Sequence, residues 1–184
     1  MFIGIVNFCN KNTVPSKLIN ALTSMEYKVA MISSKTDYYE IIKKSPIKHW
    51  IFSSSPDETQ SLAKCEVNMK IFQLKSKSFF VIGRAMEKVL TQLNNTYVVP
   101  TKSRKNKKPM AMNKTSHRLF DKMKKKIKIF GSPGGFDVID SKHVKVINQH
   151  DGKIMTATYK NAILTQYYPF ESEDGQQIIL NWLS

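Results

Sequence analysis

The sequence predicts an α/β protein: a parallel sheet flanked by helices, with a smaller antiparallel strand region in the C-terminal half. Three observations carry this. Strand-like apolar runs alternate with helical stretches through the first half of the chain. One of those runs, Phe79 to Ile82, stops at Gly83 and passes at once into a helix with Met86, Val89 and Leu90 on one face. Beyond it come short apolar segments separated by turn residues, the pattern of successive short strands. One domain spanning 1–184 is expected, because 184 residues with 41% hydrophobic content build one core and leave little room for a second.

Each element has its own reason. Residues 2–8 (FIGIVNF) read as a buried strand, and Thr13 is placed to cap a helix that carries Pro15 in its first turn and ends near Met25. Residues 27–33 (YKVAMIS) form a second strand. Asp37 opens a short helix through Ile41 and Ile42, which Pro46 ends, and residues 49–53 (HWIFS) are a third strand running into a Ser-Pro loop. Such alternation implies a parallel sheet covered on both faces, with ligands at the C-terminal strand ends. A further apolar piece, 69–74, precedes the strand that ends at Gly83. Short strands follow at 127–130, 136–139, 144–147, 154–159 and 163–167, and a helix from about Asp174 to Leu183 closes the chain.

Charge is unevenly spread. The net +15 is concentrated in residues 100–128, where twelve Lys or Arg face the single acid Asp121. This segment is expected to be an exposed basic loop, with Lys102, Arg104, Lys105, Lys107 and Lys108 as its binding patch. Only three of the chain's basic residues are Arg, so bidentate base recognition is not expected. Phe120 alone interleaves with the lysines, which argues against base stacking. An acidic protein surface is the favoured partner, with nucleic acid second. No apolar run reaches the roughly 20 residues of a membrane span, and two cysteines, Cys9 and Cys65, give neither a disulfide framework nor a zinc site. A cytoplasmic, reducing location with no metal and no cofactor is the expectation.

The turn at Gly83 has the form of a nucleophile elbow, in which a Ser or Cys is held on a strained backbone above a sheet. Around it, IFSSSP (51–56), VIGRAME (81–87) and TQYYPFES (165–172) occur in the order of an oxyanion loop, a nucleophile elbow and a histidine-glutamate motif. With GKIMTATYKNAILTQYYP before the last motif and SEDGQQIILNWL after it, the chain resembles the class I glutamine amidotransferase domain. The likeness is greatest to the kind that supplies ammonia to anthranilate or aminodeoxychorismate synthesis. It implies a flavodoxin-like parallel sheet of that family's type.

The resemblance also implies that the catalytic positions have changed. The family's cysteine falls on Gly83, its histidine on Tyr168 and its glutamate on Phe170, with Glu171 one place late. The oxyanion-loop glycines fall on Ser53, Ser54 and Ser55. Glycine offers no nucleophile, and a phenol is a poor base at neutral pH. A catalytically inactive protein used as a structural or interaction component is therefore expected. The Lys-, Asn- and Ile-rich composition suits a large DNA virus or an AT-rich parasite, and a component of a viral particle is one expectation. The alternatives are an amidotransferase-related enzyme with displaced chemistry and a basic nucleic-acid-associated protein. Cys9 at the end of the first strand and His49, His117, His143 and His150 are the residues displaced chemistry would draw on, though none shares a recognisable spacing with Cys9. GSPGG (131–135) precedes a strand rather than a helix and reads as a turn, not a phosphate cradle.

Overall fold

The computed structural model describes residues 1–8, 15–53, 66–93, 97–100, 109–130, 136–140 and 142–184. Near-continuous apolar runs form the centre of the main sheet. It contains β1 (Phe2–Asn7), β2 (Lys28–Ser33), β3 (His49–Ser53), β4 (Ser78–Ile82), β9 (Lys145–His150), β10 (Lys153–Tyr159) and β11 (Ala162–Thr165), in the order β2-β1-β3-β4-β11-β10-β9. The first five in that order are parallel, and β10 and β9 add antiparallel at one edge. This is the expected α/β class, a parallel sheet flanked by helices with smaller antiparallel additions.

Successive side chains on a strand point to opposite faces, and the core divides accordingly. Phe52, Phe79, Val81 and Leu164 join one cluster with α2 (Tyr38–Lys44), α3 (Arg84–Gln92) and the 3-10 turn Met69–Gln73. Ile3, Ile5, Ile51, Phe80 and Ile82 join the other with α1 (Ser16–Ser24) and α4 (Glu173–Leu183). Phe79 to Ile82 are all 0% exposed, as a strand covered on both faces requires.

Local signals explain the helix limits. The Asp37 carboxylate accepts the Glu40 N–H at the start of α2, as read from the sequence. The Ser172 hydroxyl does the same for Gly175 in α4. Pro15 lies just before α1 rather than inside it, and Thr13 lies outside the described residues.

The basic segment departs from the expected loop. Its described part is an antiparallel pair, β6 (Pro109–Asn113) with β7 (Lys126–Phe130), joined through the 3-10 turn Arg118–Phe120. Met112, Leu119, Phe120, Ile127 and Ile129 are fully buried in the α1/α4-side cluster, while Lys126 and Lys128 face outward. Alternation in KIKIF is what makes this a covered ribbon. A second ribbon pairs β5 (Tyr97–Pro100) with β8 (Phe136–Asp140). Lys102, Arg104, Lys105, Lys107 and Lys108 lie outside the described residues, as does GSPGG.

Candidate functional site

The candidate site forms where β1, β3, β4 and β11 end together. Parallel pairing brings Asn7 beside Ser53, and Ile82 beside Thr165, at one edge of the sheet. Gly83 follows, and its backbone stands at φ +58° and ψ −126°, a conformation that favours glycine over any side chain. Its N–H donates to the Thr165 carbonyl at 2.8 Å, and its own carbonyl accepts from Met86 N–H at 2.9 Å. The turn is thus clamped to the neighbouring strand on one side and opens α3, which begins at Arg84, on the other. Arg84 and Glu87 pair across the first turn of that helix at 3.3 Å.

What lies over the tip is Tyr168. A Cβ built on Gly83 would come within 2.6 Å of the Tyr168 hydroxyl oxygen and 2.7 Å of Cζ. Both distances are shorter than any real Cβ contact, so the ring occupies the space that a side chain at position 83 needs. Tyr168 is fully buried and held from several directions. Its N–H donates to the Phe130 carbonyl at 3.0 Å, and its carbonyl accepts from Glu171 N–H at 3.2 Å. Its ring meets that of Phe170 edge-on, with centroids 5.6 Å apart.

The 3-10 turn Pro169–Glu171 carries these residues and is seated by α4. Gly175 lets the helix approach, since a Cβ there would fall 2.1 Å from the Pro169 carbonyl oxygen. Phe170 is 7% exposed and packs into the α1/α4-side core. The Glu171 carboxylate turns away to Lys17 on α1 at 3.5 Å. Beside this turn runs an open groove of about 690 Å³ between α1, Phe130 and Phe170.

The remaining polar groups at this edge are mostly tied up. The Tyr167 hydroxyl and Thr156 Oγ1 lie 3.1 Å apart, and burial pushes the Tyr167 phenol well above its usual range, partly offset by the Thr156 contact. Thr165 Oγ1 donates to the carbonyls of Tyr167 (3.2 Å) and Val81 (3.4 Å). Ser53 is fully buried. Its carbonyl accepts from Phe8 N–H at 2.9 Å, while Oγ has no hydrogen-bond partner among the described residues. Ser54, Ser55, Cys9 and Cys65 lie outside the described residues.

The fold therefore brings together Gly83, Tyr168, Phe170 and Ser53 but not the histidines. His49 is the first residue of β3, at the opposite end of that strand from Ser53, and packs edge-on to Trp182. His117 precedes the turn Arg118–Phe120, His143 precedes β9, and His150 ends β9 beside Asp151. Among the described residues no group of three or more His, Cys, Asp or Glu could hold a metal. Thr165, Thr156 and Gly175 were missed in the sequence; only the presence of a glycine at 175 inside a helical stretch gave a signal.

No family model matches the sequence, and no curated protein matches it. Solved structures do. A putative GMP synthase component from Thermoplasma acidophilum superposes with TM-score 0.70 at 12% identity, covering 98% of this chain and 92% of that one. PurLQS from Thermotoga maritima gives 0.72 at 14%, covering 98% and 97%. A glutamine amidotransferase from Thermotoga maritima gives 0.59 at 12%, covering 99% and 80%. At such identities the likeness establishes a glutamine amidotransferase-like fold.

Proposed function

We propose that this chain is a glutamine amidotransferase-like protein that does not hydrolyse glutamine and acts as a structural or interaction component. The observation that carries the reading is the phenol of Tyr168 standing where a side chain on Gly83 would have to be. Amide hydrolysis by a thiol route needs a nucleophile at the tip of the turn, a base beside it and an acid to orient the base. Here the tip has no side chain, its neighbour is a buried phenol, and Phe170 supplies only a ring. Glycine accepts the elbow conformation with little strain, so the turn persists without the reaction. Virion association belongs to the same proposal and rests on composition alone; proteomics of purified particles would check it.

The test is ammonia release from glutamine by the full chain. Wild type and Gly83→Cys should both stay at the no-protein background, because the single replacement meets Tyr168 and gains no base. Sustained turnover by wild type would sink the proposal. So would stoichiometric labelling of wild-type Cys9 by a thiol-reactive glutamine analogue, which would point to displaced chemistry.

A further inference from the structure

We infer that the β6–β7 ribbon is a sequence-independent binding face for the phosphate backbone of a duplex nucleic acid. The inference deepens the interaction reading above. It names a surface and a partner class, and it does not depend on the fate of the elbow.

Arg118, Lys122, Lys124, Lys125, Lys126 and Lys128 are all exposed on this ribbon and its connecting segment. Asp121 is the one acid between residues 109 and 130, and among the described residues no carboxylate lies within ion-pair distance of those six cations. The ribbon is anchored rather than loose. Lys128 N–H donates to the Asp174 carboxylate at 2.7 Å, Lys114 N–H to the Lys125 carbonyl at 2.9 Å, and the Phe130 carbonyl accepts Tyr168 N–H. Lys126 and Lys128 stand on one side of a strand, about 6.7 Å apart along it.

The apolar complement of this segment decides the partner class. Interfaces between proteins are built on exposed aromatic, Met and Arg anchors and are depleted in Lys. Phe120 was the one aromatic that the sequence placed among the lysines, and it is fully buried together with Leu119, Met112, Ile127 and Ile129. What stands fully exposed is mainly charge, carried by lysines with a single arginine, while Met110, Met123 and Phe130 are half-buried. Such a surface has little to insert into a protein pocket, and the half-buried ring of Phe130 lies at the end of β7 beside the α1 groove rather than among the exposed lysines. It suits a duplex backbone, where neutralising phosphates and releasing their counterions supplies the affinity and base identity is not read.

The experiment measures binding of the full chain to two unrelated duplexes of about 20 base pairs by fluorescence anisotropy, from about 50 to 300 mM NaCl. A ribbon variant carries Lys124→Gln, Lys125→Gln, Lys126→Gln and Lys128→Gln. A control with the same net charge carries Lys28→Gln, Lys70→Gln, Lys75→Gln and Lys160→Gln, all exposed and outside the ribbon. The two duplexes should bind wild type within about twofold of each other. The ribbon variant should lower the slope of log affinity against log salt by roughly 3 to 4 and weaken binding more than tenfold at low salt, while the control moves the slope by less than about 1. Equal losses in the two variants would reduce the effect to bulk charge and overturn the assignment. Retained duplex binding with lost poly-glutamate binding in the ribbon variant would overturn it in favour of a carboxylate-rich protein. Ammonia release is read in parallel on the same preparations, so failure of one proposal leaves the other standing.

Discussion

At the scale of single residues, the Gly83–Tyr168 contact makes a quantitative claim. Gly83→Ala places a Cβ at positive φ, a cost of about 1–3 kcal/mol, and also drives it into the phenol ring. Part of the loss belongs to backbone strain and part to the ring. In a Tyr168→Val background only the strain should remain, so a double-mutant cycle by urea denaturation should give a coupling of about 1–3 kcal/mol. Strictly additive effects would show that the two residues do not contest the same space. His117 makes a second claim. Its Nδ1 accepts the Leu119 N–H at 3.3 Å, which only a neutral imidazole can do. Burial, followed by Arg118 and Lys145, holds this imidazole below its usual 6.5, and burial with Lys48 does the same at His49. The unfolded chain therefore takes up protons first as pH falls through 6.5, and stability is complete above that value and lost below it, down towards the folded pKa. The urea midpoint should fall between about pH 7.5 and 5.5, and less so in His117→Asn, which keeps an acceptor without a titration.

At the scale of elements, single residues seat helices at both edges of the sheet, Lys77 at the edge away from the site and Gly175 beside it. Lys77 is 7% exposed, and burial lowers its pKa. Its ammonium donates to the carbonyls of Ser45 and Ile47, closing the C-terminal end of α2. Lys77→Met keeps the stem and loses the donors, leaving two carbonyls beneath an apolar group, and should cost about 1–3 kcal/mol by thermal or urea unfolding. A neutral result would mean that water already serves those carbonyls. On the other face, Gly175→Ala sets a methyl against the Pro169 carbonyl oxygen. Backbone cannot swing aside as a side chain can, so α4 must lift from the turn that carries Tyr168, with an expected loss of about 1–3 kcal/mol. Elements of this kind were legible in the sequence where one period ruled them: the Gly83 elbow, with positive φ, buried Val81 and Ile82 and a helix starting at Arg84, follows directly from FFVIGRAMEKVL. β5 and β6 were not. In PMAMN the inward residues are Met110 and Met112, and the flanking lysines outweigh their signal, so a strand that depends on its partners Ile129 and Ile127 reads as a basic loop.

At the scale of the whole molecule, the order of the sheet was beyond a local reading. β11 lies against β4 although more than seventy residues separate them in sequence, and nothing in AILT specifies that neighbour. The contact of Tyr168 with Gly83 depends on that pairing, so the sequence could align the two residues by resemblance but could not place one ring over the other. Net charge acts at this scale too. A chain of +15 repels itself, and its charge-paired side chains are few and mostly exposed among the described residues. Screening should therefore relieve more repulsion than it removes attraction. Raising NaCl from about 20 to 150 mM should increase Tm in a thermal scan. A falling Tm would mean that the ion pairs outweigh the repulsion.

The crowding over Gly83 also fixes the order in which substitutions at this turn can accumulate. A larger residue at position 83 is penalised for as long as the phenol is present, whatever chemistry the newcomer brings. A smaller residue at 168 opens a buried void that only a later change at 83 could fill. Neither step is rewarded alone, so the two positions behave as a pawl and a ratchet wheel: the turn can drift in many directions, but placing a side chain at its tip requires passing first through a less stable protein.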